Sequence, residues 1–570
     1  MVGTILISIV VFIFAFLVIL TLLQLFSMYK KHTMDEIVYD SDELNDYPTN
    51  KWQSSSPEEQ GVDSDKLFEM ISFYKAQQQK NEDLFIDSIT VIRNEHIIAD
   101  FYFNPLFQKD EKHVINSCTK SIVSALIGIA IDKGYIKDVN VPILSIFEDI
   151  EIKQADERLK KMTLKDLLSM RTGWHSQDSF LYQWKGLFKM QATDDWVAHI
   201  LNLPFETNPN TRFDYSNIAS FLLSAIIEKT TGTDALSFAK RELFTPLGIT
   251  DILWEQNPNG IYIGFARMWL KPNDLAKIGL LFLQKGKWEN RQIVSESWVE
   301  ESIKAHSFPK QYRYIYKENG KIDYGKSGGT WVFTNLIRPI SDGYGYQWWL
   351  DESGMFSAIG VGGQYLVVVP KERLIVVVTS KLKGKDSFFP VTLIKRYILP
   401  AIVSQSPLPS KDKANKAISF YAIPPDLRAN TKSDIALPST AYKISNTTYS
   451  LDTSTDVNPW QYDNFTLIFK ENFNYAEFAY TRQKNEHIKY KIGLNNQSQT
   501  TETNGKSYVA IGEWLNENTF SISCQLIGYS SGDKWILVFE GDNIQVKEIG
   551  VTGENNYQGK VKSIKHHLMV

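Results

Sequence analysis

The first apolar feature along the chain is the run from residue 4 to residue 26, which contains no charged side chain. As a helix it spans ~34 Å, enough to cross a hydrocarbon core. A secretory signal would show a basic start, a shorter apolar run and a small-residue cleavage site, and this stretch has none of them. The pattern predicts an uncleaved transmembrane anchor over residues 1–31. Residues 32–51 are polar and acidic with no apolar period, which predicts a linker.

From 52 to 403 helical and strand patterns alternate. Residues 86–98 followed by 101–103 predict a β-hairpin turning near Asn94, and 122–131 predict an apolar helix stopped by Lys133-Gly134. A second helix is predicted over 221–229, ended by Thr231-Gly232, and a third, amphipathic one over 274–283, closed by Lys285-Gly286. Residues 357–359, 365–369 and 374–379 read as strands, the last two buried on both faces. Strands at both ends of this region with helices between them imply a sheet built from early and late chain, plus a helical portion.

Residues 404–417 are rich in Pro, Ser and Lys and predict a second linker. Beyond it, from 418 to 570, the period changes to two. Phe520, Ile522, Cys524 and Leu526 alternate with polar residues, as do Ile488, Tyr490 and Ile492. Turn signals at Ser531-Gly532-Asp533 and Gly541-Asp542-Asn543 predict a small antiparallel barrel or sandwich.

Composition narrows the chemistry. The formal charge of −4 over 570 residues offers no field for nucleic acid. Two cysteines, Cys118 and Cys524, exclude a disulfide scaffold and a cysteine-based zinc site. Lys30 and Lys31 after the apolar run would favour a cytoplasmic body, whereas the sequons at Asn446, Asn464 and Asn496 leave the side of the membrane open.

Three local patterns carry possible chemistry. Ser117-Cys118-Thr119-Lys120 opens the most apolar helix of the body. Ser and Lys three apart share a helix face, and a serine there meets the positive end of the dipole and free backbone N–H groups. Alone, this fits an activated nucleophile or an N-capping serine beside a lysine. Tyr215-Ser216-Asn217 precedes the second helix. A phenol titrates near pH 10 in water and needs a nearby cation to act as a base at neutral pH, which Lys120 could supply. Gly360-Val361-Gly362-Gly363-Gln364 leads into a strand, and its glycines allow close backbone approach to a ligand.

Together these motifs resemble the serine β-lactamase and penicillin-binding-protein superfamily, in its class C β-lactamase-like branch. That branch includes esterases and 6-aminohexanoate-dimer hydrolases. The resemblance extends over about 52–380 through stretches such as 164–174, 214–232, 243–249, 344–349 and 360–370. It implies an α/β (α+β) sandwich, an antiparallel sheet flanked by helices with a separate helical lobe. Ser117 would be the acylated nucleophile. Lys120 would depress neighbouring pKa values and help take the serine proton, and Tyr215 would be general base and later acid. Asn217 would bond the substrate or the lysine. The backbone N–H groups of Ser117 and Gln364 would form the oxyanion hole, with Gly362 and Gly363 on the same side of the site, and one lost donor there costs about 10²–10³ in rate. The resemblance implies no metal or other cofactor, which agrees with the absence of any tight His or Cys cluster in the sequence.

Where penicillin-recognising members carry Lys-Thr-Gly or His-x-Gly, this chain has Val361-Gly362-Gly363. The missing cation argues against β-lactamase or D-alanyl carboxypeptidase activity and for neutral, small-molecule or peptide-like esters or amides. A catalytically silent scaffold is the remaining alternative, opposed by retention of Ser117, Lys120 and Tyr215. Relatives commonly work outside the cytoplasm, so the catalytic body is expected on the extracytoplasmic side. The part beyond 418 resembles the lipocalin-like β-barrel appended to some of these hydrolases. Cys118 reads as a packing residue. Residues 177–192 and 307–331, rich in aromatics, are expected to wall the pocket.

Overall fold

A computed structural model of the chain describes residues 47–562, apart from 82–83, 105–106, 108–110, 154–155, 179–183, 310–314, 317–321, 324–342, 352, 412–436, 453–461, 471–474, 483–485, 495–497, 530–531 and 551–552. Among these residues no helix is long and apolar enough to cross a membrane. The expected anchor at 1–31 lies outside them, as does most of the expected pocket wall at 307–331.

The hairpin expected near Asn94 forms from strands Ile86–Arg93 and His96–Tyr102. Asn94 and Glu95 both have positive φ, 46° and 63°, the signature of the tight turn that matches strand twist. The hairpin joins late strands through Ile86–Arg93, which pairs antiparallel with Leu374–Ser380. Gln364–Val369, Phe356–Gly360, Trp349–Leu350 and Gly343–Tyr344 continue the same sheet. This eight-stranded sheet is antiparallel except where Gln53–Ser54 pairs parallel with His96–Tyr102. Its two central late strands, Gln364–Val369 and Leu374–Ser380, are buried on both faces, as their continuous apolar runs imply.

Each predicted helix is longer than its apolar core suggested. Thr119–Asp132 follows a single 3₁₀ turn, Asn116–Cys118. Asn217–Thr231 starts at an N-cap, Ser216, whose side chain accepts from Ala219 N at 3.1 Å, and ends at Gly232 in the left-handed conformation. Pro272–Leu283 starts with its proline in the first turn, where the missing N–H costs nothing. Thr119–Asp132 and Asn217–Thr231 pack directly together, and Gln347 joins them. Its backbone carbonyl accepts from Ser121 Oγ (2.7 Å), its Oε1 from Ser220 Oγ (2.8 Å), and its Nε2 reaches the carbonyl of Leu168 (2.8 Å).

Both stretches read as linkers are partly tied down. Tyr47 packs on Trp288 (5.1 Å between centroids), and Thr49 Oγ1 accepts from Trp288 Nε1 at 2.9 Å. In the second, the buried Arg93 guanidinium donates to Ser404 O (2.9 Å), Leu408 N donates to Glu58 O (2.8 Å), and Lys411 pairs with Asp63 and Asp65, each at 2.6 Å.

The C-terminal part is a ten-stranded sheet, closed into a barrel where Gly493 pairs with Ile511. Tyr462, Phe478, Tyr480, Tyr490 and Trp535 fill its interior. The turn expected at Gly541-Asp542 joins strands Gly532–Glu540 and Asn543–Gly550. The turn expected at Ser531-Gly532-Asp533 falls earlier, because Gly532 and Asp533 already pair with Gln525 and Cys524. Cys118 and Cys524 are both buried and free.

Candidate active site

Ser117 sits in the 3₁₀ turn that feeds the helix Thr119–Asp132, and the next turn of that helix brings Lys120 over it. Lys120 Nζ lies 3.0 Å from Ser117 Oγ, 2.8 Å from Asn217 Oδ1 and 2.8 Å from the carbonyl oxygen of Phe265. Lys120 is buried, only 1% exposed. Burial disfavours its charge and pulls it down from 10.5 to about 7, against the opposing pull of Asp178.

Tyr215 comes from the turn before the second helix, and its hydroxyl is hydrogen-bonded with Ser117. Its ring stacks on Trp349 (5.5 Å, 22° between planes) and meets Tyr344 edge-on at 6.4 Å. Two strands at the end of the sheet thereby fix the phenol. Lys120 Nζ lies 4.9 Å from the ring centroid, the neighbour that a lowered phenol would need. Burial nevertheless pushes Tyr215 well above its usual value. Burial thus shifts the phenol and the lysine in opposite directions, the phenol up and the amine down.

Asn217 was expected to bond either substrate or lysine, and the structure gives the lysine. Its Nδ2 donates to the backbone carbonyl of Asp178 at 3.2 Å, which turns its oxygen towards Nζ. The Gly362 and Gly363 pair forms the turn between strands Phe356–Gly360 and Gln364–Val369, with φ of 88° and 82° that only glycine adopts freely. Asn116 Nδ2, one residue before Ser117, donates to Val361 O at 2.7 Å and pins this turn beside Ser117. The side chain of Gln364 faces inwards, donating to Ser380 O at 2.6 Å and accepting from Ser380 N at 3.3 Å. Only its backbone is left to face the site. Cys118 lies under that strand, its Sγ 3.7 Å from Gln364 O, and burial raises its thiol well above normal, in keeping with a packing residue.

Sequence reasoning missed Asp178 and Phe265. Asp178 is 1% exposed, and its Oδ2 accepts from Ile218 N (2.7 Å) and Ser216 Oγ (3.2 Å) while Oδ1 takes Ser176 Oγ. Burial raises its pKa, and the donors oppose that rise. It holds the whole Tyr215-Ser216-Asn217 turn. No local motif marks it, since it lies in an aromatic loop 39 positions before Asn217. Phe265 acts through its carbonyl, which no side-chain pattern reports.

A serine, a buried amine and a phenol meet beside a glycine turn, the arrangement expected of a serine hydrolase. Residues 81–277 match the Beta-lactamase family profile. The 6-aminohexanoate-dimer hydrolase of Paenarthrobacter ureafaciens is 22% identical over 323 residues, covering 54% of this chain and 76% of the relative. The unguisins hydrolase ungD of Aspergillus violaceofuscus is 27% identical over 157 residues, 27% of each chain. Among solved structures, the octameric penicillin-binding protein homologue from Pyrococcus abyssi superposes with a TM-score of 0.44 at 14% identity, covering 87% of this chain and all of that one.

Proposed function

We propose that the protein hydrolyses a neutral ester or amide through an acyl-enzyme on Ser117, with Lys120 as the general base. The observation that carries this reading is the set of contacts around Nζ. A neutral amine has two N–H bonds and one lone pair. Asn217 Oδ1 and Phe265 O can only accept, so they take the two hydrogens and leave the lone pair for the proton of Ser117 Oγ. Burial lowers its pKa from 10.5 to about 7, which makes that neutral form accessible at neutral pH.

Ser117 Oγ attacks the carbonyl carbon as its proton passes to Lys120. The oxygen that becomes negative is received by the backbone N–H groups of Ser117 and Gln364. Tyr215, protonated and bonded to Ser117, hands its proton to the departing alcohol or amine and is reprotonated from Lys120. Water then repeats the sequence on the acyl-enzyme. Cleavage of amides is supported by the likeness to the 6-aminohexanoate-dimer hydrolase, and the preference for neutral substrates by Val361 at the turn.

The uncharged run at 4–26 supports a single-pass anchor, and the resemblance to extracytoplasmic hydrolases supports a catalytic body outside the cytoplasm, against the weak bias of Lys30 and Lys31. Protease added to intact cells would digest the body in that orientation and spare it in the opposite one.

The chemical reading is tested by incubating the full chain with a fluorophosphonate probe beside Ser117→Ala. A single adduct on Ser117, absent from the variant, supports it. No adduct on folded protein, or an adduct elsewhere, sinks it.

A further inference from the structure

Beside a small apolar cluster of Tyr102 and Phe107 with barrel Val509 and Ile527, the barrel touches both segments that build the Ser117 and Lys120 pair. The turn after barrel strand Thr519–Leu526 carries Gly528, whose carbonyl accepts from Val114 N at 2.5 Å. It thereby adds a rung to the strand His113–Val114, whose other edge pairs with Met268–Leu270, and Ser117 follows three residues later. Gly528 has φ of 71°, and a Cβ there would collide with Lys112 O, so no other residue fits this approach.

Tyr529, next in the turn, stacks on Trp269 (5.8 Å, 21°) and accepts from Arg267 Nη1 at 2.8 Å. Arg267 holds a left-handed backbone, φ 66°, unusual for a side chain of its size. It lies two residues after Phe265, whose carbonyl grips Lys120. The segment's other end is set by Gly264, where a Cβ would meet Ser220 O of the helix Asn217–Thr231. Glu255 completes the joint. Its backbone N–H donates to Arg267 O (3.1 Å), while its carboxylate takes barrel Lys506 Nζ at 2.6 Å.

Resting on the hydrolase reading above, we propose that the Gly528-Tyr529 turn of the barrel is a working part of the catalytic centre, with Arg267 as the positioning residue that fixes the Phe265 carbonyl against Lys120. A barrel that merely stabilised the protein would have no need to hold a strained arginine two residues from the lysine's acceptor.

The test uses the full chain and a neutral p-nitrophenyl ester, with the rate of fluorophosphonate labelling measured in parallel. Tyr529→Phe keeps the ring and removes only the acceptor for Arg267, and Arg267→Gln removes the donor. Both are expected to lower kcat and the labelling rate about tenfold while KM stays within about twofold, because the nucleophile is mis-set and the substrate pocket is not. Arg267→Lys should recover part of the loss seen in Arg267→Gln, and Tyr442→Phe, on an exposed barrel residue, should change neither rate. Thermal melting within about 3 °C of the parent confirms that each variant is folded. Parent-like kcat and labelling in folded Tyr529→Phe and Arg267→Gln would overturn the proposal while leaving the hydrolase reading intact. A parent chain that takes no label at Ser117 would remove both.

Discussion

Lys120 Nζ stands 3.0 Å from Ser117 Oγ while its other two partners, Asn217 Oδ1 and Phe265 O, are groups that only accept hydrogen bonds. As the proposed base, the lysine has its orientation set before substrate arrives. Its pKa falls from 10.5 to about 7 because its charge is buried, so the catalytically useful neutral form grows as pH rises. Acylation of Ser117 should climb between about pH 6 and 8 with a midpoint near 7 and level off above it. Lys120→Met should lower the plateau by about 10²–10⁴ and abolish that limb. A rate independent of pH over this range would show that another group takes the proton.

Asp178 tunes the same lysine from the opposite side. Its negative charge raises the lysine's pKa and partly offsets the effect of burial. Asp178→Asn removes that charge, so Lys120 should lose its proton more easily still. The rising limb of the pH–rate profile should move to lower pH. Loss of the carboxylate that receives Ile218 N and Ser216 Oγ should also cost about 1–3 kcal/mol of stability, measurable by urea unfolding. A limb that stays in place would mean that the charge of Asp178 is not felt at Nζ.

What the sequence revealed follows how local each signal is. Ser117, Lys120, Tyr215 and Asn217 lie in two short motifs, and each motif starts a helix whose apolar period is plain, so type and place were both readable. The late strands were readable for a similar reason, since burial on both faces demands an unbroken apolar run. The opposite pKa shifts of Tyr215 and Lys120 were not. They depend on the low dielectric made by Trp349, Tyr344 and Phe265, which arrive from distant parts of the chain. Asp178, Gln347 and the Gly528-Tyr529 turn were hidden for the same reason. Their meaning lies in which backbone groups they meet across long separations, and no periodicity records that.

The glycine turn gives a sharper test of geometry. Gly363 has φ of 82°, and a Cβ there would press on Ser380 Oγ and stand 2.8 Å from Leu382 Cδ1. Ser380 Oγ cannot withdraw easily, because it bonds the carbonyls of both Gly362 and Gly363 at 2.7 Å. Gly363→Ala should therefore cost about 1–3 kcal/mol in backbone strain. It should also displace the N–H of Gln364, slowing acylation by about 10²–10³ if that donor is lost to the oxyanion. Thermal melting and labelling rate together check this. A stable variant with parent-like labelling would remove the turn from the oxyanion site.

Val361 is 43% exposed at the tip of this turn, and its carbonyl is tied to Asn116 beside Ser117. Its side chain can therefore be changed without disturbing the backbone that holds the site. An apolar group there offers nothing to a substrate carboxylate, whereas an ammonium would form a charge-assisted hydrogen bond worth about 1.5–3 kcal/mol. Val361→Lys should raise kcat/KM for an ester bearing a carboxylate, relative to its neutral counterpart, by about tenfold or more. The comparison is made on a matched pair of p-nitrophenyl esters in low salt and repeated at high salt, where screening should shrink the gain. If the ratio does not move, the substrate's far end does not pass Val361, and the preference for neutral substrates must be sought in the aromatic loop that begins at Gln177.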